Sequence, residues 1–147
     1  MSTEHSPDKL SIIIYDHHYD KVHYALVMAS AAAAIGRPVT VFFTMGACGA
    51  IQATEKNKSP AWAGLPLSDE DANGAERDKF YKRIGIATME ELIEACIAFG
   101  VRFLVCEMGL RAKGLEQTAL RADINIEHSG VVTFLNDASK DGAMVLI

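Results

Sequence analysis

Short apolar runs alternate with helix-period segments along this chain, and that alternation narrows the available folds more than any other feature. Leu10 to Tyr15, Val39 to Phe43 and, apart from Arg102, Val101 to Cys106 are β-branched or apolar runs of strand length. Ile124-Asn125-Ile126 and Ala143 to Ile147 are shorter runs of the same kind. Strands separated by helices predict a mostly parallel sheet covered on both faces, with right-handed crossovers. The expected fold class is α/β with five strands. The 147 residues suit one domain around one core.

The helices are predicted from caps and periodicity. Asp20 is placed as the cap of a helix running to Ile35, with Val22, Ala25, Leu26, Ala29, Ala32 and Ala33 on one face and Gly36 as its stop. Its alanines imply close packing against the sheet or a partner. Thr88-Met89-Glu90-Glu91 is a capping box, opening a helix that buries Met89, Leu92, Ile93, Cys96 and Ile97 and ends at Gly100. Glu76 to Ile84 is expected as a short helix, Leu110 to Arg121 as another weakened at Gly114, and Ser129 as the cap of a last one through Val132, Phe134 and Leu135. Residues 1–9 form a polar tail. Residues 51–75 form an irregular excursion holding Pro60, Trp62, Pro66 and the acidic run Ser68 to Asp71. Trp62 there is expected as a lid or an oligomer contact, and the acidic run as a solvated segment.

Several function classes are excluded early. The net charge is −5 and no basic block is present, which argues against a nucleic-acid groove. Ala25 to Ile35 is too short to span a bilayer. The first residues lack the layout of a signal peptide, so a cytoplasmic location is expected. Gly46 and Gly49 fit no phosphate-loop pattern. Three widely spaced cysteines, Cys48, Cys96 and Cys106, make no complete disulfide framework.

Cys106 stands out because it ends a predicted buried strand. Ligands and chemistry in such sheets collect beyond the strands' carboxyl ends, where a thiol can act as a nucleophile. The alternative is a buried cysteine that only fills space. Cys48, in the loop after the second strand, is either a second thiol of the same site or a small residue in a glycine turn. Cys96 lies on the apolar face of its helix and is expected in the core.

Three stretches resemble the DsrE/DsrF-like family, the YchN-type sulfur-relay proteins. They are Ala31 to Gly36 leading to Val41-Phe42-Phe43-Thr44, Ile84 to Leu92 leading to Gly100 to Phe103 and Cys106-Glu107-Met108, and Ser129 to Leu135. They are most similar to the DsrE-like branch labelled "peroxiredoxin family", whose motif is Cys-x-Met-Ser-Met-Asp. Here Cys106 and Met108 match, and Gly109, Leu110 and Arg111 depart. The resemblance implies three α/β/α layers around a mostly parallel five-stranded sheet, and a homo-oligomer, trimer or hexamer. It also implies a small sulfur carrier or sulfurtransferase that takes sulfane sulfur as a persulfide on Cys106 and exchanges it with donor and acceptor proteins. Its sheet order brings the loop of Cys48 toward Cys106, making Cys48 a resolving or relay thiol.

The histidines support a different reading. His17 and His18 follow the first strand, with Asp16 and His23 near. Together with Cys106 or Cys48 they are a candidate metal or small-ligand site of a non-enzymatic module. Otherwise they are solvated loop residues, or His17 serves as a base toward the Cys106 thiol. No cofactor other than such a metal is expected. A third reading is a structural subunit with an idle cysteine.

Overall fold

Leu10–Ile14 (β1) and Val39–Phe43 (β2) pair in parallel, with Ile12 opposite Val41 and Ile14 opposite Phe43. A computed structural model describes residues 6–147 of the chain. Within them Arg102–Cys106 (β3), Ile126–Ser129 (β4) and Ala143–Leu146 (β5) complete a five-stranded sheet in the order β4-β3-β2-β1-β5. Every pairing is parallel. The helices are Tyr19–Ala34 (α1), Gly74–Arg83 (α2), Met89–Ala98 (α3), Glu107–Ala112 (α4) and Val131–Asp137 (α5).

The strand order dictates which face each helix covers. Steps from β1 through β4 all run toward one edge, so right-handed crossovers set their helices on one side. The return from β4 to β5 runs the other way and sets α5 on the opposite side. The packing agrees. Ile12, Ile14, Val41, Phe43, Phe103 and Val105 face a large core with Leu26 and Ala29 of α1, Ile93 and Cys96 of α3, and Leu110 of α4. Phe42, Leu104, Cys106 and Phe134 form a separate small cluster on the other face, where α5 is the cover. The three layers are thus unequal, and Cys106 lies on the thin side.

Several expected boundaries shift. α1 begins after His18, not Asp20; the Asp20 carboxylate sits in the first turn and accepts hydrogen bonds from the backbone and hydroxyl of Ser68. The helix expected over 110–121 is instead the short α4 starting at Glu107, because the Cys106 side chain caps it and Gly114 then turns with φ +68°. The strand expected at Ile124 begins at Ile126, where backbone pairing with Phe103 starts. Ser129 therefore closes β4 rather than capping α5, and Gly130 precedes that helix without a side-chain cap. The Thr88 cap stands, accepting from Glu91 N at 3.3 Å.

Residues 51–75 are anchored rather than loose. They carry a 3-10 helix, Ala61–Gly64, and two isolated bridges, Gln52 with Leu120 and Pro66 with Asn73. Trp62 is 6% exposed, lies with its ring tilted 5.8 Å from that of Tyr19 and donates to Glu90 Oε2 at 3.0 Å, so it is core and not a lid. Gly74 closes this corner; a Cβ there would lie 2.5 Å from the Trp62 carbonyl oxygen. Of the expected tail, residues 1–5 lie outside the described residues. Lys9 is no tail residue: its Nζ is 2.8 Å from Asp137 Oδ2.

Candidate functional site

The carboxyl ends of β1, β2 and β3 bring three loops side by side. After β2 the chain passes through Thr44 into a 3-10 helix, Met45–Ile51. Met45 opens it with φ +48°, a left-handed conformation uncommon for a side-chain-bearing residue. On one flank the His17 side chain lies against Gly46, where an added Cβ would be 2.7 Å from His17 Cβ. On the other flank a Cβ on Gly109 would be 2.6 Å from Met45 N and 3.0 Å from Thr44 Oγ1. The loop of Cys48 therefore separates the histidine loop from the start of α4.

Cys106 ends β3 and caps α4. Its backbone is extended, at φ −78° and ψ 118°, and its Sγ accepts the N–H of Gly109 at 3.3 Å. The residue is only 3% exposed, covered by Phe42 and Phe134, whose rings stack 5.1 Å apart. The thiol is closed off from solvent because α5 lies over it. The neighbouring Met108 is 59% exposed. Ser129 is the register partner of Cys106 across β3 and β4. Its Oγ is buried and has no hydrogen-bond partner among the described residues.

Cys48 is fully buried on the other side of the sheet, and its thiol lies 3.8 Å from the Phe43 carbonyl oxygen. Burial, with the nearby Cys106, pushes its pKa up to about 12 against the pull of Lys113. Cys96 is core as expected, raised by burial to about 12. Arg111 is exposed to solvent, with its Nε 3.4 Å from Glu116 Oε2.

The histidines gather with Asp16. One ligand atom from each of Asp16, His17 and His18 lies within 4.8 Å of the others, and neither cysteine joins the group. His18 Nδ1 is 2.6 Å from Asp16 Oδ1, and the His18 backbone N–H donates to the same oxygen. Burial works to raise the Asp16 pKa, but those contacts outweigh it and hold the carboxyl below its ordinary value. Among the described residues no hydrogen bond joins either histidine to Cys106 or Cys48. His23 lies elsewhere, buried at α1, with Nε2 2.8 Å from the Ala87 carbonyl oxygen.

Residues 6–63 match the DsrE/DsrF/DrsH-like family. The match covers β1, α1, β2 and the loop of Cys48, the elements that set the histidine and glycine loops. The chain is also similar to the uncharacterized protein YrkE of Bacillus subtilis, 26% identical over 156 residues, spanning 95% of this chain and 96% of that protein. The crystal structure of the YchN protein from E. coli superposes with a TM-score of 0.57 at 12% identity, covering 95% of this chain and 97% of that one. At that identity the likeness shows a shared fold. The DsrE/YchN-type resemblance read from the residues is borne out, and so is the α/β class. No helix among the described residues is long and apolar enough to cross a membrane.

Ser129 and Asp137 carry structure that the residues alone did not reveal. Ser129 reads locally as a helix cap, and only the β3–β4 register places it beside Cys106. Asp137 accepts from Lys9 at 2.8 Å, Thr40 at 2.5 Å and Arg102 at 2.6 Å, and so ties the far end of α5 to the sheet. Nothing in its local sequence marks it.

Proposed function

We propose that this chain is a small sulfur carrier of the DsrE type, in which Cys106 accepts sulfane sulfur and passes it to a partner protein. The observation that carries the reading is the position of Cys106 Sγ. It stands at the carboxyl end of an inner parallel strand and already receives a backbone N–H from Gly109 at 3.3 Å. Hydrogen bonds to an ionised acceptor are the stronger ones, so this donor is worth most to the sulfur anion.

The transfer is a thiol exchange without net oxidation. The Cys106 thiolate attacks the outer sulfur of a donor persulfide, R–S–SH. A new S–S bond forms on Cys106, the donor's S–S bond breaks, and the electron pair leaves on R–S⁻. The proton stays on the transferred sulfur or passes to the departing thiolate. Handing the sulfur to an acceptor thiolate repeats the step in reverse sense. Since Phe134 covers the sulfur, loading requires α5 to give way on contact with the donor. That helix is seven residues long and has no side-chain cap at its amino end, the end away from the Asp137 tie. Cys48, protonated and buried, joins only when its own loop opens.

Self-association fits the thin face. Val131, Val132 and Leu135 of α5, with Met144 and Leu146 of β5, are all about half exposed or more. Sedimentation of the purified chain tests for the trimer or hexamer. Free cysteines at this site suit a reducing, cytoplasmic setting.

The test of the carrier reading is an intact mass after incubation with a small-molecule persulfide. Addition of one sulfur, absent in Cys106→Ser, is expected. A wild-type protein that never gains sulfur under conditions where Cys106 can be alkylated rejects it.

A second reading rests on the Asp16, His17 and His18 cluster. A divalent cation held there, through one carboxylate oxygen and two imidazoles, makes the rim a metal-binding module. Its test is equilibrium binding of zinc followed by elemental analysis, with His17→Ala and His18→Ala expected to abolish it.

A further inference from the structure

We infer that Ser129 holds the transferred sulfur on Cys106, its hydroxyl donating to the outer sulfur of the persulfide; this rests on the carrier reading above. Cys106 and Ser129 are register partners in adjacent parallel strands. Such partners sit about 4.8 Å apart and point to the same face of the sheet. The Arg102–Glu127 pair, at 2.6 Å on the same two strands, shows the shared facing directly, since both side chains belong to that face.

The state of the hydroxyl is the telling observation. Ser129 Oγ is removed from solvent and has no hydrogen-bond partner among the described residues. Buried polar groups are nearly always paired, and an unpaired one costs stability. Ser129 ends β4 without capping α5, so its hydroxyl has no local structural use. Cys106 Sγ meanwhile takes one donor, the N–H of Gly109. Adding a sulfur extends Cys106 by one S–S bond of about 2.05 Å. The outer sulfur of that extended group, largely anionic, is an acceptor within a strand spacing of the orphaned hydroxyl. Gly109 then holds the inner sulfur and Ser129 the outer one. The next transfer breaks the bond between them. Ser129 makes no bond and loses no proton; it steadies the cargo until an acceptor displaces Phe134.

This assignment separates function from stability in one variant. Ser129→Ala removes an unsatisfied buried hydroxyl, so its melting temperature is expected to equal or exceed that of the wild type. After loading with glutathione persulfide, the wild type and Ser129→Ala are both expected to gain one sulfur on Cys106. The sulfur of Ser129→Ala should then be lost to cyanide faster, by about three- to ten-fold, the worth of one hydrogen bond. The pH above which release slows, as the outer sulfur ionises and resists cyanide, should also rise, because the anion loses a donor. Ser129→Thr, which keeps the hydroxyl, should restore the wild-type rate and pH profile. Equal release rates and equal pH profiles in wild type and Ser129→Ala overturn the assignment while leaving the carrier reading intact. A wild type that takes up no sulfur overturns both.

Discussion

Gly109 and Met45 touch backbone to backbone across the candidate site: a Cβ on Gly109 would come within 2.6 Å of Met45 N. The contact leaves no room for a side chain at position 109. The residue that donates to Cys106 is also the residue on which the left-handed Met45 rests. Adding a side chain forces the two loops apart. Gly109→Ser should destabilise the protein by about 1–3 kcal/mol, the usual cost of overpacking a tight contact. It should also alter the alkylation rate of Cys106, since the amide moves with its helix. Thermal melting and mass-mapped labelling check both; an unchanged melt and rate would show that the loops part freely.

Phe134 is the cover over Cys106, so trimming it should expose the sulfur. Phe134→Leu keeps an apolar plug and should cost about 1–2 kcal/mol. Reaction of Cys106 with iodoacetamide should quicken several-fold, with the other two cysteines unchanged. No acceleration in a folded variant would mean that access to Cys106 runs by another path.

Cys48 and Cys96, both raised to about 12 by burial, should stay protonated and unreactive in the native protein from pH 7 to 9. Time-resolved labelling should therefore find modification at Cys106 first. The other two should label only as the chain unfolds. Native-state labelling of Cys48 at a rate near that of Cys106 would instead show that its loop opens.

Asp137 joins α5 to the strands through Lys9, Thr40 and Arg102. Burial acts to raise its pKa, but those three donors outweigh it and hold the carboxyl below its ordinary value of 3.8. A carboxyl depressed on folding adds stability above its unfolded pKa, and that stability is lost as pH falls through the lower folded value. Asp137→Asn should thus destabilise at neutral pH by about 2–4 kcal/mol, because Lys9 and Arg102 lose a partner. Its stability should also change less than wild type between pH 5 and pH 2. Denaturant titrations across that range decide the matter; parallel pH curves would remove Asp137 from the acid limb.

The layout of β1, α1, β2, α3 and β3 was legible because each carries its own period, cap or glycine stop. Cys106 was legible for the same reason, as the last residue of an apolar run followed by a turn. Leu110 to Arg121 was misread because its helical composition outlasts the turn that Gly114 imposes. Trp62 was misread because its surroundings look like loop, whereas its burial comes from Tyr19 and Glu90 far along the chain.

By itself the sequence determined that strands and helices alternate, that the sheet is parallel, and that a thiol ends one strand. These follow from short-range patterns, which the chain carries residue by residue. Only the tertiary structure decided that Ser129 stands beside Cys106, that α5 covers them on the thin face, and that Asp16 rather than a cysteine joins the histidines. Those facts depend on strand register and on the reversal of strand order at β1, and both are set by contacts between residues distant in the chain.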